Sequence, residues 1–443
     1  MEIAYLKFKF YLKWFFKILT FEGCIYLTKT RTIDEINQKI DDGEANIYTV
    51  EEFKKLIKND EAPSFDEVDV VTCGTCGVMS GTAAILNFIV SEPGEFIRAN
   101  EVYLNGVPAY AGPCPNEWLG SVDVILHGTA HSIYDESYGG GFLLKEILEG
   151  NPIDVRVESA DGKTIENTIS IDDITRGQII GARMAFKNYT AFTNPNDEDV
   201  KSIFSAIPLE GNLRGLTFSG CGDLNPLQND IPHNAIKEGS KVLLNGAIGY
   251  ILGDGTRSSA EKPNLMLSAD LTQMDPYYLG GFKTGQGGEV YDTVAIPIPV
   301  LNEEIYNNLM IRDDEIDLPV ADIKGRHLPL DNTDYDKMWT GHDLRPKYSK
   351  DKCENCNDCI VEDICPTNAF KNQIIDFNYC FGCGMCANYC KNDAFDMNTG
   401  NVDLTINGKD VNIPIICRQS DRLRANKLSN KLKKMIEDKE FRL

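Results

Sequence analysis

The chain has 443 residues, of which 42% are hydrophobic, so it is globular and too long for one hydrophobic core; we expect two or three domains. Its net charge of −23 excludes a nucleic-acid backbone or an anionic membrane surface as partner, because both would repel it, and favours a basic redox carrier protein. With 14 cysteines and no secretory signal, it is predicted to be cytoplasmic and free of disulfides.

Residues 1–27 are predicted to form an N-terminal extension. Residues 3–27 are basic and apolar, and Lys9, Lys13 and Lys17 recur every four residues, which would give a helix one charged stripe. The apolar runs are too short to span a bilayer, so no transmembrane segment is predicted. The segment is either an interfacial amphipathic helix or an extension with little structural role.

The folded part is predicted to begin with two short helices, because Thr32 with Glu35 and Thr49 with Glu52 have capping-box spacing. The β-branched residues 68–72 (VDVVT) then predict a buried strand. This strand leads into CGTCGVMSGTAA and the helix-prone ILNF, which predicts a strand, a glycine-rich loop and a helix, an arrangement favoured for ligand binding. The glycines do not match GxGxxG, so no dinucleotide site is predicted.

Strands predominate in the next 230 residues, and the fold class is predicted to be α/β (mixed α+β). One helix is expected at 142–148, and residues 299–350, rich in Asp, Asn and Pro, are expected to form a linker or wrapping segment. Near the end, 402–406 and 411–416 could pair as a hairpin around Asn407-Gly408, followed by a basic helix at 420–439. The predicted strands are 102–104, 122–126, 153–157, 213–218, 242–244 and 293–298.

This pattern divides the chain into a large α/β domain (28–345), a small ferredoxin-type domain (346–400) and a C-terminal hairpin with its helix (401–443). The second of these holds eight cysteines between positions 353 and 390, in CENCNDCIVEDICP and CFGCGMCANYCK. Each motif places three thiolates two residues apart, followed by a fourth cysteine, which is the arrangement of proteins with two [4Fe–4S] clusters.

In such proteins the fourth cysteine of each motif ligates the other cluster. One cluster is therefore predicted on Cys353, Cys356, Cys359 and Cys390, and a second on Cys380, Cys383, Cys386 and Cys365. Zinc is the alternative, but zinc ribbons use separated Cys-x-x-Cys pairs, whereas these are evenly spaced triplets. Five residues separate Cys359 from Cys365, where the short bacterial pattern has three.

Four further cysteines lie in segments predicted to be loops. Their convergence would suffice for a third metal site, holding zinc or another iron–sulfur cluster. Alternatively, Cys73 and Cys76 form a catalytic redox or sulfur-carrying thiol pair, or the four thiols are unrelated. Cys24 and Cys417 are interpreted as incidental. The four candidate metal ligands are Cys73, Cys76, Cys114 and Cys221.

Polar groups elsewhere carry weaker signals. His127 and His131 (HGTAH) follow a predicted strand and are either ligands or acid–base groups, or hydrogen-bonded loop residues. Residues 223–230 form a polar cluster that either binds a polar substrate or stabilises a turn. The glycine-rich residues from 245 lack Gly-Lys-Ser/Thr, which excludes a P-loop.

Several stretches resemble the homocysteine-biosynthesis sulfur-incorporation family over about residues 30–345, namely VDVVTCGTCGVMSG, VYLNGVPAYAG, FSGCGDLNPLQND, GAIGYILGDGT and IPIPVLN. With the two-cluster segment and CRQSDR at 417–422, the chain is most similar to the methanogenesis marker 16 metalloproteins, a subset of that family found in methanogenic archaea. The resemblance implies an iron–sulfur protein of an archaeal methanogen.

Some members of the family are L-aspartate semialdehyde sulfurtransferases, which form homocysteine with an external sulfur source and a reductant. Their pattern has one cysteine at the position of Ser80 and another in a later TDCYP-like segment, where this chain has VESADGKTIENTI. Because both cysteines are missing, the resemblance implies a retained pocket with altered chemistry.

Three hypotheses follow from the sequence. In the first, the ferredoxin-type domain relays electrons to the four-cysteine site for reductive sulfur handling or cofactor assembly linked to methanogenesis. In the second, the protein is a homocysteine-forming sulfurtransferase that acts on a small sulfur or aldehyde substrate, with Cys76 or Cys73 as a low-pKa thiolate at a helix N-terminus. In the third, it is a non-enzymatic electron-transfer or assembly subunit.

Overall fold

The computed structural model describes residues 30–112, 117–187, 189–326 and 328–443. The predicted N-terminal extension, Cys24 and Cys114 lie outside these residues. Both predicted capping boxes are confirmed, because Thr32 and Thr49 each exchange hydrogen bonds with the glutamate three residues later. The described helices are α1 (Ile33–Asp42), α2 (Val50–Lys58), α3 (Gly140–Leu148), α4 (Pro226–Asn229), α5 (Glu303–Met310), α6 (Tyr335–Trp339), α7 (Ile360–Ile364), α8 (Met385–Tyr389) and α9 (Arg422–Glu437).

Strands outnumber helices in the described residues, and the predicted mixed α/β class is confirmed in this coarse sense. The strands are β1 (Ile47–Thr49), β2 (Val70–Val78), β3 (Thr82–Ile89), β4 (Ala99–Leu104), β5 (Val107–Ala111), β6 (Ser121–His127), β7 (Ile153–Ser159), β8 (Thr164–Ile169), β9 (Ile174–Met184), β10 (Ala191–Thr193), β11 (Leu216–Phe218), β12 (Lys241–Leu244), β13 (Ala247–Asp254), β14 (Leu265–Asp270), β15 (Gly280–Thr284), β16 (Gly287–Pro299), β17 (Asp317–Asp322), β18 (Pro329–Asp334), β19 (Lys347–Tyr348), β20 (Phe370–Lys371), β21 (Ile374–Ile375), β22 (Phe395–Asp396), β23 (Asn401–Ile406) and β24 (Lys409–Arg418).

A large sheet has the strand order β1-β2-β16-β12-β13-β14-β9-β3-β6-β5-β4-β7-β8, and β15 pairs with β16 off this path. The strand β2 pairs in parallel with β1 and antiparallel with β16 from Val70 opposite Pro299 to Val78 opposite Tyr291. The predicted loop after residue 72 is therefore wrong. Residues 73–78 continue the strand because β16 satisfies their backbone groups along its whole length.

The helix predicted for ILNF is also wrong, since these residues lie in β3. Buried and more exposed side chains alternate along β3, with Ala84, Leu86 and Phe88 fully buried. This period of two is the pattern of a sheet with one covered face. The helix was predicted from the apolar residues of this stretch alone. Backbone hydrogen bonding to β6 on one side and to β9 on the other makes it a strand.

A second sheet has the order β18-β17-β10-β11-β24-β23 and combines distant parts of the chain. Its strands β17 and β18 come from residues 299–350, so the expected linker is wrong for this stretch. The predicted hairpin is confirmed as β23 and β24, with Asn407 and Gly408 at φ 53° and 73° in the tight turn. One predicted strand is shorter than expected, because Asn212 and Leu213 have positive φ and β11 begins only at Leu216.

The C-terminal residues 401–443 complete the packing of the large sheet. Helix α9 lies across β2 and β16, and a Cβ added to Gly74 would overlap the carbonyl oxygen of Ala425. The hydroxyl of Thr72 donates to the carbonyl oxygen of Ser429 at 3.0 Å. The side chains of Leu428, Leu432 and Ile436 are fully buried in this interface. Glycine at position 74 thus permits the close approach of α9 to β2.

Candidate functional site

The eight clustered cysteines line two separate cavities. The first, which we call the distal set, consists of Cys353, Cys356, Cys359 and Cys390. Cys356 is exposed and the other three are half-buried. The ring of Tyr348 lies beside three of these sulfurs, and the phenol pKa is raised to about 12, first by desolvation and then by Cys353, Cys359 and Cys390.

The second cavity is lined by the proximal set, Cys365, Cys380, Cys383 and Cys386. Cys380 and Cys383 are buried, and Pro366 and Phe381 complete the wall. Each set thus contains the three closely spaced cysteines of one motif and the last cysteine of the other. The strand pair β19-β22 joins the two ends of this segment, and β20-β21 forms a hairpin between the two motifs.

Four free thiols around one cavity provide the donor set of a four-iron cluster, which is bound through one thiolate on each iron. Among the described residues no group of three or more His, Cys, Asp or Glu side chains is placed to hold a single metal ion. Thiolates on different iron atoms are further apart than ligands of one ion. The donor set of each cavity is thus consistent with an iron–sulfur cluster.

The segment Cys417–Arg422, which we call the bridging segment, joins the proximal set to the large sheet. The main-chain N–H of Arg418 donates to the carbonyl oxygen of Cys383 at 2.9 Å. The carbonyl oxygen of the next residue, Gln419, accepts a hydrogen bond from the N–H of Val78 at 3.2 Å, and the N–H of Asp421 donates to the carbonyl oxygen of Cys76 at 3.1 Å. Cys417 is fully buried and interacts electrostatically with Cys383.

A buried ion network stabilises this junction. The carboxylate of Asp421 is fully buried and pairs with Arg345 at 2.6 Å and with Arg424. These guanidiniums outweigh the cost of burial and hold the pKa of Asp421 below its usual range. Arg424 also donates to the carbonyl oxygen of Cys380 at 2.7 Å, so α9 is tied directly to the proximal set.

A pocket of about 260 Å³ opens at the end of β2, between the two sheets. Gln419 and Ser420 of the bridging segment form part of its wall, and Ser80 lies at its rim. Aromatic rings cover another side. The lining residues used below are Ser80, Arg183, Phe186, Tyr189, Phe204, Asn225, Arg257, Arg326, Gln419 and Ser420.

Three arginines give this pocket a positive charge in an otherwise acidic protein. In the part of the chain that the structure describes, no carboxylate forms a salt bridge with Arg183, Arg257 or Arg326. Burial and the like charge of Arg257 lower the pKa of Arg183, whose Nε is buried without a hydrogen-bond partner. The guanidiniums of Arg183 and Arg326 stack over Phe186 and Phe204. Such a site favours an anionic ligand.

A carboxyl group lies next to Ser80. Burial raises the pKa of Glu289, while the Ser80 hydroxyl and His131 lower it to a smaller extent. One carboxyl oxygen of Glu289 has no hydrogen-bond partner. This group is therefore able to hold a proton closer to neutral pH than an exposed glutamate.

The predicted four-cysteine metal site and the predicted catalytic thiol pair are not formed as expected. Cys73 and Cys76 are three residues apart on β2, so their side chains lie on opposite faces of the sheet. Cys73 faces Lys54 and Cys76 faces α9, whereas the Cys221 thiol donates to the carbonyl oxygen of Cys76 at 3.6 Å. Because Cys73 and Cys76 point to opposite faces of β2, the two thiols do not face one shared centre, which argues against the predicted four-cysteine site; Cys114 lies outside the described residues.

These thiols are also unsuited to act as low-pKa nucleophiles. Both cysteines on β2 have 0% exposed surface, and burial raises the pKa of Cys73, Cys76 and Cys221. Neither Cys73 nor Cys76 lies at a helix N-terminus, which corrects the second sequence hypothesis on this point.

Of the other polar residues singled out in the sequence, some stabilise the fold and others lie at or near the pocket. His127 ends β6, whereas His131 contacts the carbonyl oxygen of Gly288 at 3.0 Å, beside Glu289. Within 223–230, the Asp230 carboxylate accepts three main-chain N–H groups and stabilises a turn. Only Asn225 of this cluster lines the pocket. The three arginines and Glu289 were not predicted, because they come from separate strands and turns and form no local motif.

Comparison with known proteins identifies the family. The family described as homocysteine biosynthesis enzyme, sulfur-incorporation, matches residues 45–443, and the chain belongs to it. An uncharacterized protein of Methanothermobacter thermautotrophicus is 50% identical over 411 residues, 93% of this chain and 94% of that protein. The L-aspartate semialdehyde sulfurtransferase of Methanocaldococcus jannaschii is 34% identical over 308 residues, 66% of this chain and 58% of that enzyme.

The cysteine-rich segment has a separate similarity. Pyruvate synthase subunit PorD of Methanothermobacter marburgensis is 37% identical over 67 residues, which are 15% of this chain and 80% of that subunit. This similarity supports a ferredoxin-like segment and is consistent with bound iron and sulfide. No solved structure matches the chain. Among the described helices, none has the length and apolar character needed to cross a membrane.

Proposed function

We propose that this chain is an iron–sulfur redox protein that delivers electrons to the pocket beside Ser80, where a small aldehyde with an acidic group takes up sulfur reductively. The distal and proximal sets would each hold one [4Fe–4S] cluster. We further propose that the chain belongs to the methanogenesis marker 16 subset, works in the reducing interior of a cell and receives its electrons from a carrier protein.

The bridging segment is the observation that carries this proposal. Within three residues, Arg418 bonds to Cys383 of the proximal set and Gln419 and Ser420 line the pocket. Ser420 also accepts a hydrogen bond from the N–H of Gly220 at 2.7 Å, which closes the pocket wall. One hydrogen bond and a few main-chain atoms thus separate the proximal set from the pocket, and so short a path supports electron delivery to a bound substrate.

The overall reaction requires two electrons. An aldehyde RCHO, H₂S, two electrons and two protons give a thiol RCH₂SH and water. The C=O bond is replaced by one C–S and one new C–H bond, and the oxygen leaves as water. A four-iron cluster exchanges single electrons, so two of them together supply the number needed.

The chain's own residues account for binding and proton supply. The guanidiniums of Arg183, Arg257 and Arg326 would hold the acidic group of the substrate. The Glu289 carboxyl, whose pKa is raised by burial and which lies next to Ser80 at the pocket rim, would supply a proton to the departing oxygen. In the part of the chain that the structure describes, no cysteine lines the pocket, so sulfur would come from outside the protein.

The L-aspartate semialdehyde sulfurtransferase relatives favour a second candidate, in which the aldehyde is aspartate semialdehyde and the product is homocysteine. The presence of a serine at position 80, at the pocket rim, favours an external sulfide over a protein-bound sulfur. The two candidates differ in the aldehyde they accept and are separated by the same experiment.

The test uses the full chain, purified and reconstituted without oxygen. We expect about eight irons and eight sulfides per chain. The protein is then incubated with sulfide, a low-potential reductant, and either aspartate semialdehyde or other small aldehydes that carry an acidic group, and the thiol products are identified by mass. A Cys383→Ala chain is the control that should lose turnover. Full iron content without any thiol product, alongside a competent sulfurtransferase, would refute the reaction, and an iron-free protein would refute the redox role.

A further inference from the structure

The two cysteine sets differ in what surrounds them, and this difference assigns each a place in electron flow. The distal set is at the surface, where Cys356 and its neighbours Asn355, Asn357 and Asp358 are exposed. The proximal set is covered by the large sheet. The ring of Phe381 packs against Phe282 and Tyr291 with centroid distances of 5.2 and 5.1 Å.

Two guanidiniums contact the backbone around Cys380. Arg424 donates to the carbonyl oxygens of Asn378 and Cys380, both at 2.7 Å. Arg345 is so close to the loop that a Cβ on Gly382 would lie 2.6 Å from its Nη1. The side chain of Arg345 is only 13% exposed, and it interacts electrostatically with the Cys380 sulfur.

A third guanidinium lies on the other side of the same loop. Arg418 is fully buried, donates to the carbonyl oxygen of Asp343 at 2.6 Å and interacts electrostatically with Cys383. Asp421 is the carboxylate that pairs with Arg345 and Arg424. Within this group of four side chains, none more than 13% exposed, three guanidiniums and one carboxylate leave two net positive charges; the Asp343 carboxylate, which also interacts with Arg418, is exposed to solvent.

The distal set has no comparable group of buried cations among the described residues. The charged side chains next to it in sequence are Lys352, Glu354, Asp358 and Lys391, and all four are exposed. Solvent and salt screen their fields. Reduction adds one negative charge to a cluster, and nearby positive charge in a low-dielectric region favours that state more strongly than screened surface charge does.

We propose, resting on the two-cluster function above, that electrons enter at the distal set and leave from the proximal set, and that Arg345, Arg418 and Arg424 make the proximal cluster the one with the higher reduction potential. A one-electron protein carrier gives one electron at the exposed distal set, which passes it to the proximal set. The bridging segment then leads to the pocket. The gradient would keep electrons next to the substrate cavity.

The reduction potentials of the two centres are measured by redox titration of the reconstituted full chain, with electron paramagnetic resonance used to monitor the reduced clusters. We expect two signals, each from a one-electron step. A soluble dysprosium chelate should broaden the lower-potential signal and leave the higher-potential signal sharp, because only the distal set is exposed. This measurement needs no variant, and broadening mainly of the higher-potential signal would overturn the proposal.

Variants that remove one charge test whether the arginines cause the difference in reduction potential. In Arg345→Gln, Asp421 remains paired with Arg424. We expect the equilibrium constant for reduction of the higher-potential centre to fall at least tenfold, which lowers its reduction potential by 59 mV for a one-electron couple. Arg345→Lys keeps the charge and should retain most of the potential. Lys391→Gln, beside the distal set, should leave the higher-potential signal unchanged.

A shift confined to the lower-potential signal in Arg345→Gln would overturn the assignment. If Arg345→Gln does not retain about eight irons, the chelate measurement on the unaltered protein decides the question. Fewer than two clusters in the unaltered protein would refute the proposed function itself, whereas two clusters in the opposite order of potential would refute only this inference.

Discussion

The main-chain N–H of Arg418 donates to the carbonyl oxygen of Cys383 at 2.9 Å, which joins the end of β24 to the loop of the proximal set. The same strand pairs with β11 and β23 in the second sheet. A residue at the end of a sheet strand therefore holds the cysteine loop in place. The next two residues, Gln419 and Ser420, line the pocket, so the same short segment contacts both the proximal set and the pocket.

The crossed ligand assignment predicts a specific pattern of iron loss. Cys365→Ala and Cys386→Ala should each reduce iron from about eight to about four atoms per chain, and the double variant should lose no more, because both cysteines bind the same cluster. Iron and sulfide analysis of anaerobically reconstituted protein measures this. Cys365→Ala combined with Cys359→Ala should instead remove nearly all the iron; retention of four atoms in that protein would contradict the assignment.

The cysteines on β2 are predicted to be structural. Cys73→Ala and Cys76→Ala should leave the iron content unchanged and lower the free energy of unfolding by about 1 kcal/mol each, because each leaves a small gap in a packed core. The midpoint of urea unfolding and the metal content of the single and double variants provide the measurement. Loss of a bound metal in the double variant would show that these thiols hold an ion after all.

The arginines of the pocket are predicted to bind the acidic group of the substrate. Arg183→Gln and Arg326→Gln should each lower kcat/KM by about 10–100-fold, as expected for the loss of a charged hydrogen bond of roughly 1.5–3 kcal/mol. The effect should be largely in KM. Arg312→Gln is the matched control, since the side chain of Arg312 is 40% exposed and pairs with Asp314. Equal losses in all three variants would argue against a binding role.

A buried carboxyl on β16 is predicted to make stability depend on pH. Burial raises the pKa of Asp292 to about 6, although Thr82 and Asn245 donate hydrogen bonds to it at 2.6 and 2.7 Å. The folded protein thus binds this proton more tightly than the unfolded chain, whose carboxyl has a pKa of 3.8. The resulting stability is present below about pH 4, is lost as pH rises towards about 6 and stays lost above it.

Asp292→Asn removes this titration. The amide can donate to the Thr82 hydroxyl, which in turn donates to the carbonyl oxygen of Met79 at 3.0 Å. We expect the variant to be more stable than the unaltered protein at pH 7 by up to about 3 kcal/mol, with the difference shrinking towards pH 4. Urea unfolding between pH 4 and 8 measures it. A difference that grows as the pH falls would contradict the raised pKa.

The sequence predicted most accurately those features that depend on neighbouring residues. Both capping boxes and the Asn407-Gly408 hairpin are confirmed, because their hydrogen bonds join residues only a few positions apart. The cysteine spacing likewise gives the composition of each set, while the assignment of iron to those sets stays a prediction.

Only the tertiary structure decided the conformation of the CGTCG segment and the positions of the pocket residues. The CGTCG segment has the composition of a loop, yet it forms a strand because β16, nearly 220 residues later, satisfies its backbone groups. Strand alternation then separates Cys73 from Cys76, which no spacing argument based on a loop could foresee. The pocket arginines, the buried Glu289 and the contact of Arg418 with Cys383 all join residues far apart in the chain. Their positions follow from the packing of the two sheets and α9, a property of the whole fold that local sequence patterns do not encode.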